Sequence, residues 1–329
     1  MNFTEPVKNE LAEVEKAIYS IIPSEPNEVY GMLPAFIKRG GKRIRPVLTL
    51  LSCKAICGDA KNAILPAALI EIFHNFTLIH DDIEDGSKFR RGEPTLNIAH
   101  GLPIALNSGD ALYTLLWNAV ASDSSLSSDK KIEMQKLLSS AFLKVVEGQG
   151  VELSWYRANK MNISEKEYYD MVGGKTGALV ALSCEIGASV GGADKKTCGK
   201  LKEFGYKIGV AFQIQDDVLN VTGDFDKYKK EIGGDITEGK RTLMLAKAFG
   251  HASKGEREEL ERILLSHTDS KVEISKFIGI LEKHGAIGYA RSKALELVND
   301  AKNLLSSLPD GPSKRALVEA ATFSISREV

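Results

Sequence analysis

Proline is missing from the whole stretch between Pro103 and Pro309 of this 329-residue chain. Because proline breaks helix interiors, so long an absence points to helices. Strand signals are scarce as well: no Asn-Gly or Asp-Gly pair sits between alternating apolar runs. An excess of one charge is also lacking. Lysine and arginine total 43 against 44 acids, a formal net charge of −1. That balance excludes the basic footprint of a nucleic-acid binder and leaves any attraction for charged substrates to local clusters. No uninterrupted run of about 18 apolar residues exists, so no transmembrane segment is expected. The opening MNFTEPVKNELAEVEK has no basic stretch followed by an apolar one, so neither is a signal peptide. The four cysteines, Cys53, Cys57, Cys184 and Cys198, show no extracellular framework spacing. Cys53 and Cys57 have no second ligand pair to make a metal site and are expected to be buried thiols in a reducing, cytoplasmic compartment.

Hydrophobic content of 43% and charged content of 26% suit a globular protein with a large core. Apolar residues recur at three and four, as in Leu137, Leu138, Ala141, Phe142, Val145 and Val146. GALVALSCEIGASVGG reads as a buried helix. Polar links are expected at SDSSLSSD (Ser122 to Asp129), SHTDS (Ser266 to Ser270) and LPDGPS (Leu308 to Ser313). No low-complexity linker separates domains. The expectation is a single all-α domain over residues 1–329, with roughly ten or more helices.

Two acid clusters carry the chemistry. In FTLIHDDIED, Asp81 and Asp85 share one face of a helix, with Asp82 turned about 100° away. FQIQDDVLN, about 135 residues later, repeats the pattern with Asp216, Asp217 and Asn220. Each lies at the end of an apolar helix, which suits the wall of a cavity better than a solvated face. Oxygen-only donors favour a hard cation such as Mg²⁺, which would hold a phosphorylated ligand. Three basic stretches complement them. GGKRIRP offers Lys42 and Arg45 behind two glycines, FRRG offers Arg90 and Arg91, and YKKEIGGDITEGKRT interleaves Lys230, Asp235 and Lys240 with glycines in a loop. Together they describe two phosphorylated substrates, one held by metal and one held directly. A His-Asp phosphohydrolase built on His80-Asp81, with His74 and Asp110 recruited, would leave the second acid cluster and GGKRIRP unused.

GGKRIRP, EIFHNFTLIHDDIED, RRGEPT, GDAL, KTGAL, FQIQDD and KEIGGDITEGKRT, in that order from Gly40 to Thr242, resemble the trans-isoprenyl diphosphate synthase family. The resemblance implies an all-α isoprenoid synthase fold around a deep cavity and a homodimer. The implied reaction is the Mg²⁺-assisted condensation of isopentenyl diphosphate onto an allylic diphosphate. Three Mg²⁺ ions, with Mn²⁺ as a possible substitute, would be held by Asp81, Asp85 and Asp216, with Asp82 and Asp217 nearby. Lys175, Lys230, Lys240 and Arg90 match positions that contact the allylic diphosphate; Lys42, Arg45, His74 and Arg91 match those for isopentenyl diphosphate. Thr176 and Gln213 match uncharged polar groups near the cation. Asn220 departs from the family, where many members carry aspartate, and a modest loss of metal charge is expected from it.

An aromatic at the fifth position before Asp81, Phe76, beside the small Thr77, resembles the archaeal type of geranylgeranyl diphosphate synthase, and implies a twenty-carbon product. Farnesyl and longer-chain synthases are the neighbouring alternatives. A class I terpene cyclase would not need the second diphosphate site, and a silent partner subunit would be expected to lose first-cluster acids or second-substrate bases.

Overall fold

The computed structural model describes residues 2–222 and 233–326. Helices dominate them, as the proline gap implies. In chain order the first are α1 (Lys8–Ile21), α2 (Asn27–Tyr30), α3 (Leu33–Lys38), α4 (Ile44–Cys57) and α5 (Ile64–Glu84). Then come α6 (Leu96–His100), α7 (Leu102–Ser122), α8 (Ser128–Arg157), α9 (Glu165–Val172), α10 (Ala178–Val190) and α11 (Lys195–Thr222). Later helices span Gly234–Thr237, Leu243–His251, Lys254–Leu265, Lys271–Lys283, Ala286–Leu304 and Pro312–Phe323. The three expected links fall between helices. The cap ahead of α8 is Ser127, whose hydroxyl accepts from Lys130 N–H at 3.4 Å, rather than Asp129.

Local chemistry sets the ends of several elements. Gly58 closes α4 in the left-handed region (φ 81°), its N–H donating to Lys54 C=O at 3.0 Å. Ser164 and Glu167 form a reciprocal capping box at the start of α9. One hairpin escaped the sequence reading: Phe89–Arg90 pairs antiparallel with Glu93–Pro94. Its two turn residues, Arg91 (φ 55°) and Gly92 (φ 81°), both take positive φ, the geometry of a tight two-residue turn. Arg-Gly is an unusual choice there, since an arginine in that region is strained.

Contacts divide the chain into two compact units. Of the described residues, the first unit takes those up to Ser140 with Leu182–Leu201 and Leu308–Leu317; Ala141–Ala181 and Lys202–Ser307 make most of the second. In the first, α5 is the central helix, packed by α1, α4 and α7. Its buried face runs Ala67, Ala68, Leu69, Ile70, Ile72 and Phe73. By length and composition the stretch Lys61–Glu84 could cross a membrane, but 67% of its apolar window is buried within the protein, as a core helix requires. In the second unit Phe204, Ile214, Val218, Leu245, Leu260, Ile263 and Val298 are fully buried. Cys53 and Cys184 are buried as expected, and burial pushes both thiols up to about 12. Cys57 differs from expectation: it lies on the exposed side of the last turn of α4.

Candidate active site

The first unit holds one acid cluster and two of the basic stretches. Asp81 and Asp82 end α5, and Asp85 caps it, its N–H donating to Asp81 C=O at 2.8 Å. Asp82 is turned inward at 1% exposure, and the neighbouring Arg90 meets it: Nε and an Nη both lie 2.7 Å from its Oδ1. The second carboxylate oxygen is buried without a hydrogen-bond partner. Burial pushes the Asp82 carboxyl up, against the pull of the Arg90 guanidinium.

GGKRIRP and FRRG, far apart in sequence, meet. Gly41, at φ 146°, approaches Arg91 so closely that a Cβ there would lie 2.9 Å from its guanidinium. Only glycine satisfies both demands. Arg43 (φ 47°) turns away from this surface into a buried ion pair: Nη1 donates to Glu71 at 2.6 Å and Nε to Glu15 at 2.5 Å. Burial opposes its charge, but Glu71 and Glu15 outweigh that and raise its hold on the proton. Arg45 has no such relief; its Nε is buried without a partner, and desolvation weakens its hold on the proton despite Glu71 and Asp81. Burial, then the charges of Arg45, Arg91, Arg90 and Arg43, hold His74 neutral, well below the usual histidine range. These groups concentrate positive charge, with Lys42 on the exposed stretch between Gly41 and Arg43.

Below the acids, Phe76 sits in an aromatic layer. Its ring centroid is 5.4 Å from Phe73, 4.5 Å from His80 and 5.2 Å from Tyr113 on α7; Trp117 adds an edge contact to Tyr113 at 6.0 Å. Thr77 turns its hydroxyl to His74 C=O at 2.8 Å. His80 packs on Gly109, and its Nε2 is 3.6 Å from Asp110, too long for a hydrogen bond. His74 and His80 do not join a His-Asp metal centre.

The second unit holds the other acid cluster and the remaining basic residues. Lys175 and Thr176 lie on a single π-helical turn, Gly173–Gly177, a local distortion frequent at functional sites. Glycines let three helices converge there: a Cβ on Gly148 of α8 would lie 2.3 Å from Lys175 N, and one on Gly209 of α11 would lie 3.1 Å from Gly177 Cα. Lys175 pairs with Glu152 at 2.5 Å. Thr176 donates to Gln213 Oε1 at 3.1 Å, Gln213 Nε2 donates to Asp217 at 3.0 Å, and Tyr168 OH donates to its other oxygen at 2.7 Å. Burial, reinforced by Asp235, pushes the Asp217 carboxyl up to about 8. Asp216, one residue earlier on α11, is half-exposed.

Asn220 has a task the sequence did not reveal. Its Oδ1 accepts from Asp235 N–H at 3.0 Å, and its C=O accepts from Gly233 N–H at 2.8 Å. It thus anchors the segment carrying Asp235 and Lys240, which contains the short helix Gly234–Thr237 where a loop was expected. Lys240 pairs with Asp235 at 2.7 Å and Glu238 at 2.8 Å. Arg241 is buried and braces the segment, donating to Lys160 C=O at 3.0 Å with its guanidinium over the Tyr156 ring. Lys230 lies outside the described residues.

Among the described residues no three histidines, cysteines or acids close into a metal cage. Asp81 and Asp85, one turn apart at the end of α5, nevertheless suit Mg²⁺, which needs few carboxylates and completes its shell with water and substrate phosphate. Glu71, Glu152, Tyr168 and Arg241 were missed from sequence. Only Glu71 left a signal, a lone acid in the apolar run ILPAALIEIF.

Residues 26–281 match the polyprenyl synthetase family model. The chain is 38% identical to a short chain isoprenyl diphosphate synthase of Methanothermobacter thermautotrophicus, over 97% of this chain and 96% of the relative. It is 36% identical to a geranylgeranyl pyrophosphate synthase of Geoglobus acetivorans, over 99% of each. The crystal structure of geranylgeranyl pyrophosphate synthetase from Pyrococcus horikoshii superposes with a TM-score of 0.93 at 33% identity, covering 99% of this chain and 98% of that one.

Proposed function

The chain belongs to the polyprenyl synthetase family, and from that premise we propose that it condenses isopentenyl diphosphate with an allylic diphosphate to make geranylgeranyl diphosphate. The observation that carries the reading is the basic cluster of the first unit. Arg45, with a buried unpartnered Nε, and Arg91, held against Gly41, surround a His74 kept neutral. Such a surface takes a diphosphate without metal, as the second substrate of a condensation requires.

Lys42, Arg45, His74 and Arg91 hold isopentenyl diphosphate. Arg90, Lys175 and Lys240, with Lys230, hold the allylic diphosphate; the three described ones also pair with Asp82, Glu152 and Asp235. The incoming diphosphate shares or displaces those carboxylates. Asp81, Asp85 and Asp216 would hold Mg²⁺, as three ions with Mn²⁺ as substitute, and the bound metal supplies charge neutralisation for the leaving group. The allylic C–O bond breaks with its electron pair leaving on diphosphate. The isopentenyl double bond attacks the allylic carbon, and the proton lost goes to the departed diphosphate. Thr176 and Gln213 line this step with uncharged dipoles. Thr176 donates to Gln213 and Gln213 to Asp217, which fixes both side chains, and being uncharged they are weak nucleophiles toward the cation. Phe76 is the floor against which the growing tail stops, and Thr77 leaves room beside it.

Exposed apolar side chains at Ile98, Leu102 and Leu106 support a homodimer. Purified protein given Mg²⁺, isopentenyl diphosphate and farnesyl diphosphate tests the reading. Linear twenty-carbon diphosphate is the expected product; a cyclised hydrocarbon, or no turnover, refutes it.

A further inference from the structure

Guanidiniums crowd the first unit's anion surface, and one acid lies inside it. Glu71, on the buried face of α5 one turn before His74, is 3% exposed and touches Arg43 at 2.6 Å. Arg43 stands two residues from Gly41, on which Arg91 rests, and two from Arg45. Glu71 is the larger of two favourable charges on Arg45, ahead of Asp81, and it is the favourable charge on Arg91, which Arg43, Arg90 and Arg39 repel. Glu15, the other carboxylate on Arg43, reaches it from α1 and is one-third exposed. The two glutamates therefore share one partner and differ in what else they face.

We propose that the Glu71 carboxylate is the standing counter-charge of this basic cluster. It holds Arg43, Arg45 and Arg91 together when no diphosphate is bound, and it competes with a bound diphosphate for their charge. Resting on the assignment of this cluster to isopentenyl diphosphate, it makes Glu71 a positioning residue that sets how tightly that substrate is held. A purely structural residue would weaken binding when altered. A counter-charge does the opposite: its removal leaves an excess of positive charge that a diphosphate then relieves, which destabilises the empty protein and tightens the complex.

Glu71→Gln keeps the shape and a hydrogen-bonding oxygen for Arg43 while removing the charge. Inorganic diphosphate binding is measured by calorimetry in EDTA, so that metal-held diphosphate does not contribute. Arg91→Ala, expected to abolish the signal, locates it. The expected dissociation constant for Glu71→Gln is about tenfold lower, the size of one partly screened charge interaction. The KM for isopentenyl diphosphate falls with it, while the empty protein melts about 5 °C lower. Glu15→Gln is the control, losing thermal stability with its diphosphate affinity unchanged. Glu71→Gln behaving like Glu15→Gln, or binding more weakly than wild type, overturns the proposal. Should the variant fail to fold alone, it is expected to fold with excess diphosphate present, and failure in both conditions also overturns it. If wild type itself binds no diphosphate in EDTA, the assignment of the cluster falls, and the proposal with it.

Discussion

Replacing Phe76 with alanine tests the floor of the product pocket directly. The ring lies between Phe73, His80 and Tyr113, at centroid distances of 5.4, 4.5 and 5.2 Å, and is half-buried. A fully buried Phe→Ala change costs about 3–5 kcal/mol. Partial exposure, together with the aromatic neighbours that remain, lowers the expected cost here to about 1–2 kcal/mol, so the variant folds. The phenyl group removed has one carbon more than an isoprene unit, so the space released admits one further condensation. Tyr113, whose ring lies 5.2 Å from that of Phe76, is untouched, which limits the gain. The expected product therefore shifts from twenty carbons to mainly twenty-five rather than to a long polymer. Phe76→Ala with Tyr113→Ala is expected to extend it further. Product alcohols, after phosphatase treatment, are separated by reversed-phase chromatography against length standards and weighed by mass spectrometry. A product distribution unchanged in the single variant, in protein shown to be folded, refutes Phe76 as the floor.

Three further outcomes are expected. Gly148→Ala places a methyl 2.3 Å from Lys175 N, so the π turn must move. A stability loss of about 2–3 kcal/mol by urea titration, with kcat falling at least about tenfold, is the expected outcome, and wild-type kcat would refute the packing argument. Asn220→Ala removes the acceptor for Asp235 N–H, whereas Asn220→Asp keeps an acceptor. The alanine variant is expected to lose about 1–2 kcal/mol and most activity and the aspartate variant to stay active; equal loss in both would show that Asn220 does not act through that bond. His74, held neutral below its ordinary pKa, binds fewer protons folded than unfolded. Its contribution is therefore present above the unfolded value near 6.5 and is lost as pH falls below it. Melting temperature should drop more between pH 7 and about pH 5 for wild type than for His74→Gln, and parallel curves would refute the assignment.

Helices, links and the acid and basic stretches of the candidate site could be picked out because their signals are local. The absence of proline, the three-four recurrence around Leu138, and the paired aspartates at the ends of apolar runs each need only neighbouring residues to be read. The hairpin at Arg90 was illegible because its turn is Arg91-Gly92, and an arginine at positive φ is not the residue that announces a tight turn. The Gly234–Thr237 helix was hidden among glycines that also suit a loop.

Polar partners of buried charges are the larger class of unread features, and the reason is geometric. Arg43 finds Glu71 and Glu15, Lys175 finds Glu152, Asp217 finds Tyr168, and Arg241 finds the Lys160 carbonyl, every one of them far along the chain. A ligand-binding charge is recognisable from its motif because substrate chemistry fixes its type and spacing. The group that holds that charge in place when no substrate is present can come from any helix that packs nearby. GGKRIRP shows the consequence: three cations look equivalent in sequence, yet Arg43 is spent on a buried ion pair while Arg45 keeps a buried donor unpaired. Since an unpaired buried donor carries a desolvation cost of about 1–3 kcal/mol, the fold leaves Arg45 in a state that a diphosphate oxygen would relieve. That difference between neighbouring arginines lies in the packing of α1 and α5, which no local pattern encodes.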